Sequence, residues 1–432
     1  MTGYSVIDVV SYVQAFSWEK TIRVYWFFII FDFPRYVLTD VYIFIYEMIR
    51  LSRPRKKRKT FESKLLEGPP LVSVLVPVLN AGDTIQWTVR SLLEQTYKNI
   101  EIIIVDDGST DNTPLMCRRL ERQEEMVTYS RFEERAGKSA ALNHAIRFAK
   151  GEFIVFIDAD TTFDRDAIFN VIKNFADPKV GAVAGNLRPR NAKRTLLTRL
   201  QQIEYLFTID VGRRIRANFG ILPIVSGAFG GFRRELVEQV GGHEPGPGND
   251  SDLTIRIRKR GYKIVFAPDA ICLTNVPDKL YNLIKQRMRW DRNLVKTRML
   301  KHRNVFNPFS KNFMIRTTLS FMDTIFFHVV LAFISLIYLM DLSVNYYQIM
   351  LFVLAINYLA YFLAEALELI IGAVLTKSWS NLGLFLYLPI YNPYKIMLKL
   401  FRVIAYFQEL LLRSSTRDPF APHKVRREMI RW

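Results

Sequence analysis

The sequence predicts an α/β fold, a mainly parallel sheet domain set between apolar helical segments. Three observations predict it. Runs of β-branched and aromatic residues recur between Leu71 and Pro268 and alternate with helical patterns, the pattern of a mainly parallel sheet. Two of these runs end abruptly in carboxylates, at Asp106-Asp107-Gly108 and at Asp158-Ala159-Asp160. A continuous apolar run bounded by turn residues reads as a strand buried on both faces, so the acids sit at the carboxyl ends of two strands. The second half of the chain carries apolar stretches of membrane-spanning length.

Composition agrees. Half of the 432 residues are hydrophobic, with 32 Phe and 20 Tyr. Lys plus Arg number 60 against 41 Asp plus Glu, a net charge of +19. Many of the bases flank apolar segments, as in Arg53-Pro54-Arg55-Lys56-Lys57-Arg58-Lys59. That placement suits cytoplasmic loops and anionic lipid. No basic module interleaved with aromatics stands out, so no nucleic-acid partner is expected. Two cysteines, Cys117 and Cys272, imply no disulfide framework. Five scattered histidines make no zinc spacing. The N-terminus lacks the pattern of a cleaved signal peptide.

In chain order, residues 1–60 read as an interfacial and transmembrane segment followed by the basic run. Val6, Val9, Val10, Val13 and Phe16 share one helical face. Thr21 to Ile49 is the first membrane candidate, interrupted by Asp32, Pro34, Arg35 and Asp40. Either one long helix crosses with a paired Asp32 and Arg35 facing protein, or a broken segment dips in. Residues 61–275 read as the cytoplasmic α/β domain. Its strands are expected at Leu71 to Val78, Ile100 to Val105, Phe153 to Ile157, Val180 to Ala184 and Lys263 to Ala267. Ala141, Leu142, Ala145 and Ile146 place a helix over Lys138 to Ala149. Residues 276–312 read as an amphipathic interface helix. Residues 313–412 hold the C-terminal membrane segments: Leu319 to Met340, Tyr347 to Leu375, and Leu382 to Leu412, the last kinked by Pro389 and Pro393. Glu365 and Glu368 fall one helical turn apart and should face protein or a watery cavity. Residues 413–432 form a basic, cytoplasmic tail.

The candidate chemistry gathers at strand ends. In open α/β sheets, ligands bind outside the carboxyl ends of the strands. Two aspartates separated by one small residue, Asp158 and Asp160, can hold one hard divalent ion, and Mg²⁺ commonly takes few carboxylates plus substrate phosphates. Lys138 follows Gly137 at a helix start, where a cation and backbone amides suit phosphate. Each feature also has an ordinary reading: turn acids that cap a helix, a solvated lysine, and an interfacial tryptophan.

Pro77-Val78-Leu79-Asn80, Val105-Asp106-Asp107-Gly108-Ser109-Thr110-Asp111, Gly137-Lys138, Asp158-Ala159-Asp160, Asp250-Ser251-Asp252 and Gln286-Arg287-Met288-Arg289-Trp290 occur in this order. That series resembles the processive, membrane-integrated family-2 glycosyltransferases, which include cellulose, hyaluronan, chitin and poly-N-acetylglucosamine synthases. Singly the motifs are weak; together, ending in the Gln286 to Trp290 signature, they are specific. The resemblance covers Leu71 to Trp290 by motif. It implies a GT-A-like fold and an inverting transfer from a UDP-sugar to a growing β-linked polysaccharide. It also implies Mg²⁺ or Mn²⁺ as cofactor, with Asp158 and Asp160 as its ligands. Pro77, Asn80, Asp106, Asp107, Lys138, Asp158, Gln286 and Arg289 would bind the nucleotide sugar. Asp250 would be the general base, the stretch Ser226 to Arg234 resembles the family's acceptor-side loop, and Gly230, Phe232 and Trp290 would meet the acceptor. Here the family's usual Glu before the base is Asn249. The implied partners are the donor, the growing polysaccharide, a lipid bilayer and an accessory membrane subunit. The implied location is a cell membrane, multi-pass, with the catalytic domain cytoplasmic. Two rivals stay open: transfer of one sugar to a lipid carrier, and a non-catalytic membrane scaffold. Product length separates the first from polymerisation; UDP release separates the second.

Overall fold

In a computed structural model the described residues are 17–52, 63, 65, 67–310, 313–417, 422, 425 and 426. The amphipathic face expected at Val6 to Phe16, the basic run Arg53 to Lys59 and most of the basic tail lie outside them. The chain divides into two compact units. One comprises Met1–Arg53 with Phe326–Val403, the other Pro54–Ile325 with Ile404–Trp432.

The second unit is built on one sheet. Its strands are β1 (Val72–Val78), β2 (Ile100–Asp106), β3 (Val127–Arg131), β4 (Phe153–Ile157), β5 (Thr162–Phe163), β6 (Val180–Pro189), β7 (Phe229–Arg233) and β8 (Lys263–Thr274). The order across the sheet is β3-β2-β1-β4-β7-β6-β8-β5. β1, β2, β3 and β4 run parallel, β6 pairs parallel with β8, and β7 runs antiparallel between β4 and β6. Side chains alternate along β1. Val72, Val74, Val76 and Val78 pack on one face with Ile85, Val89 and Leu92 of the helix Ile85–Leu93. Leu75 packs on the other face with Ala141, Leu142 and Ala145 of the helix Lys138–Phe148. Both faces are covered, so β1, β2 and β4 are near-continuous apolar runs.

The chain leaves β1 in one direction for β2 and β3, then returns to place β4 on β1's other side. Ligands of open α/β sheets bind at such a reversal, outside the carboxyl ends. β1 pairs with β4 only from Val72 to Leu75, yet with β2 as far as Val78↔Asp106. Pro77 therefore sits where β1 has outrun β4, so its missing N–H leaves no gap in that ladder.

The five expected strands are present, with β6 and β8 running five and seven residues further than expected. β7 corrects the expectation of an acceptor-side loop over Ser226 to Arg234. Its glycines mark close packing inside a sheet. A Cβ on Gly230 would lie 2.2 Å from Val225 Cγ1, and one on Gly231 would lie 2.3 Å from Val171 Cγ1. Phe232 is 2% exposed and packs its ring against Phe156.

The first unit is helical. Helical backbone runs from Trp18 to Ser52 through Pro34. The expected Asp32–Arg35 pair takes other partners: Asp32 accepts from the Tyr361 hydroxyl, and the Arg35 guanidinium lies 4.4 Å from the Phe327 ring centroid. Two described helices, Ile315–Asn345 and Met350–Leu375, are long and apolar enough to cross a membrane; the unit boundary falls within the first. Glu365 and Glu368 are buried, and Lys395 pairs with Glu365. Within the segment expected to be kinked at Pro389 and Pro393, one helix, Leu388–Leu412, carries both prolines. Pro389 occupies its first turn, where the missing N–H is no loss. Pro393 cannot donate to the Pro389 carbonyl four residues back, and the Tyr358 hydroxyl bonds that carbonyl at 2.7 Å instead.

Candidate active site

The two acidic turns end β2 and β4, on either side of β1, and have different surroundings. Asp106 is fully buried and its oxygens are engaged: Oδ1 accepts from Ser109 N at 2.8 Å, and Oδ2 accepts from the Tyr129 hydroxyl at 3.1 Å. Arg131 Nε lies 3.6 Å from Oδ2. Asp107 accepts from the backbone N–H of Ala136 and of Gly137, both at 2.7 Å. Its carboxylate thereby fixes the loop that leads into the helix of Lys138. Burial raises the Asp107 carboxyl above its usual range, against the lowering effect of these two amides. The amides just before Lys138 are therefore taken. Asn80 adopts a left-handed backbone (φ +51°) and ties two loops together. Its N–H donates to Ser109 Oγ at 2.9 Å, and its Oδ1 accepts from Thr110 N at 2.9 Å.

The second turn is open. Asp158, Ala159 and Asp160 are all partly exposed. Lys138 Nζ pairs with Asp158 Oδ1. Burial alone would pull the Lys138 ammonium down, but the carboxylates of Asp158, Asp250 and Asp160 outweigh it and raise it. Asp160 is raised by burial and by the Asp158 charge. Arg190 supports the turn from behind, its Nη2 donating to the Asp160 carbonyl, to Thr162 Oγ1 and to the Leu273 carbonyl at 2.8–3.0 Å. Two partly exposed carboxylates that already attract one ammonium form a place built for positive charge.

Asp250 faces the same place. It opens the helix Asn249–Lys259, with Gly248 (φ +84°) as the preceding cap. Its Oδ2 accepts from Gly227 N at 3.2 Å and its Oδ1 from Ser251 N at 2.8 Å. A Cβ on Gly227 would lie 3.5 Å from Lys138 Nζ and 3.8 Å from Asp250 Oδ2. Lys138, Asp158, Gly227 and Asp250 thus border one small volume. Asn249 donates from Nδ2 to Ser139 Oγ at 3.1 Å, tying the helix of Asp250 to that of Lys138.

Gln286, Arg289 and Trp290 lie on one helix, Leu280–Leu294, whose buried stripe is Leu283, Arg287 and Asp291. Trp290 is 42% exposed. The Arg287 guanidinium covers its ring at 4.4 Å and pairs with Glu204 at 3.0 Å. Gln286 Oε1 is buried and has no hydrogen-bond partner among the described residues.

The structure therefore brings Lys138, Asp158, Asp160 and Asp250 together, and sets Pro77, Asn80, Asp106 and Asp107 at the adjacent strand ends. It takes Gly230 and Phe232 out of the acceptor set, because both are core positions of β7. The turn just before β7, with Gly227, is the part of that stretch that lies beside Asp250. Arg190 and the Arg287–Glu204 support are additions that sequence reasoning missed, and neither carried a signal. Gly227 lay within the expected stretch Ser226 to Arg234 but was not singled out in it.

A doubly covered sheet with acids at the switch point and a charged cluster beside them is a GT-A-like α/β fold. Residues 73–241 match glycosyl transferase family 2, and the chain is similar to polysaccharide synthases. It is 34% identical over 266 residues to the poly-beta-1,6-N-acetyl-D-glucosamine synthase of Staphylococcus aureus (strain MSSA476), covering 61% of this chain and 63% of that protein. The synthase of the same name from Staphylococcus epidermidis is 35% identical over 231 residues, 53% of this chain and 55% of that protein. The match thus spans less than two thirds of these relatives' length. Among solved structures, a mannosyltransferase from Pyrobaculum calidifontis, in complex with GDP-Man and Mn²⁺, shares the fold. Its TM-score is 0.57 at 24% identity, covering 88% of this chain and 96% of that one.

Proposed function

We propose that the chain is an inverting, membrane-bound transferase that extends a β-linked polysaccharide from a UDP-sugar. UDP-N-acetylglucosamine is the first choice of donor, given the relatives' names, and UDP-glucose the second. The observation that carries the reading is the meeting of Asp158, Asp160 and Lys138 with Asp250 around the Gly227 turn. One side of that volume collects positive charge, as a leaving diphosphate requires. The other side presents a carboxylate with spare lone pairs, as an acceptor hydroxyl requires.

In the proposed reaction the acceptor oxygen attacks the anomeric carbon as its bond to the diphosphate breaks. The acceptor proton passes to Asp250, the role of a general base within hydrogen-bond reach. The electron pair of the broken bond leaves on UDP, and Lys138 and Arg289 would balance its charge. A single displacement inverts the anomeric centre. Pro77, Asn80 and Asp106 shape the nucleotide side, and Trp290 offers an indole face to the acceptor ring.

The residues fit a divalent ion. Among the described residues no group of three or more Asp, Glu, His and Cys could hold a metal, so Asp158 and Asp160 would supply two carboxylates and the diphosphate the rest. Mg²⁺ or Mn²⁺ bound there would act as a Lewis acid on the leaving UDP. The two apolar helices support insertion in a bilayer, with the sheet unit on the cytoplasmic side, where nucleotide sugars are made. Export of the product and an accessory subunit belong to the same proposal.

The test is incubation of the purified full chain with a panel of UDP-sugars, scored by UDP release and product mass. A ladder of long products from one UDP-sugar is expected. A single added sugar on lipid would replace the reading with the lipid-carrier one, and no UDP release from any donor would end it.

A further inference from the structure

Asp250 is delivered by a loop that cannot position it unaided. Between Val240 and Asp250 four glycines, Gly241, Gly242, Gly246 and Gly248, all have positive φ, from 69° to 105°. Such a stretch is conformationally permissive. What fixes it lies two residues beyond Asp250. Asp252 is 4% exposed. Its Oδ2 accepts from Arg256 Nε at 2.7 Å, while its Oδ1 meets Lys301 Nζ at 2.6 Å and His302 Nε2 at 2.8 Å. Arg256 grips the loop itself, donating to the carbonyls of Val240 at 2.5 Å and Gly242 at 2.6 Å. Lys301 also holds Glu244 of the same loop. A Cβ on Gly248 would lie 3.1 Å from Thr297 Oγ1, so the loop end is pressed onto the segment that continues the helix of Trp290.

The histidine in this cluster has a defined state. Lys259 Nζ lies 2.9 Å from His302 Nδ1 and also donates to Asn304 Oδ1 at 2.9 Å. An ammonium can only donate, so Nδ1 must accept and the proton sits on Nε2, which donates to Asp252. A neutral imidazole with fixed donor and acceptor sides thereby joins the helix of Asp250 at two places, Asp252 and Lys259. The chain segment carrying Lys301 and His302 directly follows the helix of Gln286 to Trp290.

We infer that Asp252 and His302 are positioning residues that fasten the general-base helix to the segment carrying the Gln286 to Trp290 motif, so that Asp250 and the acceptor platform are held in one register. The inference rests on the reading of Asp250 as base. Donor binding shares this register only through Gln286 and Arg289, because Lys138, Asp158 and Asp160 stand on other elements. A small displacement of a reacting group costs up to about 10²-fold in rate.

The experiment compares the full-length wild type with His302→Leu, His302→Gln, Lys259→Met and Asp250→Asn. It measures kcat, KM for the UDP-sugar, UDP affinity and melting temperature. His302→Leu should lower kcat by about 10- to 100-fold and change donor KM and UDP affinity far less. His302→Gln, whose amide can donate to Asp252 and accept from Lys259, should recover most of that loss. Lys259→Met, at the rim of the cluster, should show the same split with a smaller fall, and serves if His302→Leu does not fold. Wild-type kcat in His302→Leu, or in Lys259→Met if the leucine variant is unfolded, overturns the fastening while leaving the base reading intact. So does a fall in kcat that His302→Gln fails to relieve. Wild-type turnover in Asp250→Asn overturns both.

Discussion

Asp106-Asp107 and Asp158-Ala159-Asp160 look alike in the sequence, each a pair of acids ending a buried strand. In the fold they are opposites. The first pair is buried and committed, its oxygens held by Ser109, Tyr129, Ala136 and Gly137. The second is partly exposed, and Lys138 sits on it. The difference follows from position. β2 lies between β1 and β3, and its end is roofed by its own loop and by the loop after β3, whereas β4 stops short of β1 and its turn is partly exposed. Strand-end carboxylates therefore divide into those that build the loops and those that wait for a ligand. Asp252 and Asp250 repeat the division within one helical turn, one buried in an ion cluster and the other at the site.

Four experiments can break or sharpen this division. The largest effect is expected at Asp250. Asp250→Asn keeps the shape but cannot take a proton, so turnover should fall by about 10²–10⁴ with UDP binding retained, measured by UDP release and titration calorimetry. Unchanged turnover would place the base elsewhere. Next, Phe232→Ala should behave as a core truncation and cost about 3–5 kcal/mol of stability, seen in denaturant unfolding. Loss of acceptor use at full stability would return Phe232 to the acceptor site. Asp107→Ala leaves two backbone amides without an acceptor, at about 1–3 kcal/mol for each group that stays buried and unpaired. Its melting temperature should drop, and a wild-type value would remove Asp107 from the loop-building class.

The smallest effect is a pH slope. Burial pulls the His243 imidazole down to about 3, and neither ring nitrogen has a hydrogen-bond partner among the described residues. The folded pKa is below the unfolded one, so the unfolded chain takes the proton first. Stability is then lost as pH falls from about 6.5 towards 3, at roughly 1.4 kcal/mol per pH unit for one proton. Burial lowers His302 as well and acts in the same direction. His243 packs edge-on against Phe156 at 4.7 Å. His243→Phe should keep that contact and flatten the acid limb of the stability curve, and an unchanged slope would contradict the assignment.

Much of this was legible in the sequence because it depends on local pattern. The apolar runs of β1, β2 and β4 announce two-sided burial, and the acids that end them announce the crevice. Strand β7 was not legible, since Phe229-Gly230-Gly231-Phe232 reads as a turn until Val225 and Val171 are seen to occupy the space of the missing side chains. β3 was hidden by its polar members Thr128, Ser130 and Arg131, which an edge strand tolerates. The continuous helix through Pro393 depends on Tyr358, more than 30 residues away in sequence. The same holds for the candidate site. Asp158, Asp160 and Asp250 could be singled out by motif, but that Asp107 is buried while Asp158 stays partly exposed is set by a distant loop, whose Ala136 and Gly137 amides bond Asp107.

The most direct test of the division between building and ligand-facing acids is UDP binding to the full-length protein, with Mn²⁺ and with EDTA, for the wild type and for Asp158→Ala. The account predicts that wild-type binding weakens in EDTA, and that Asp158→Ala binds UDP weakly in both conditions at an unchanged melting temperature. Equal wild-type affinity with and without the ion, or an Asp158→Ala protein that loses stability while keeping ion-dependent binding, would contradict it.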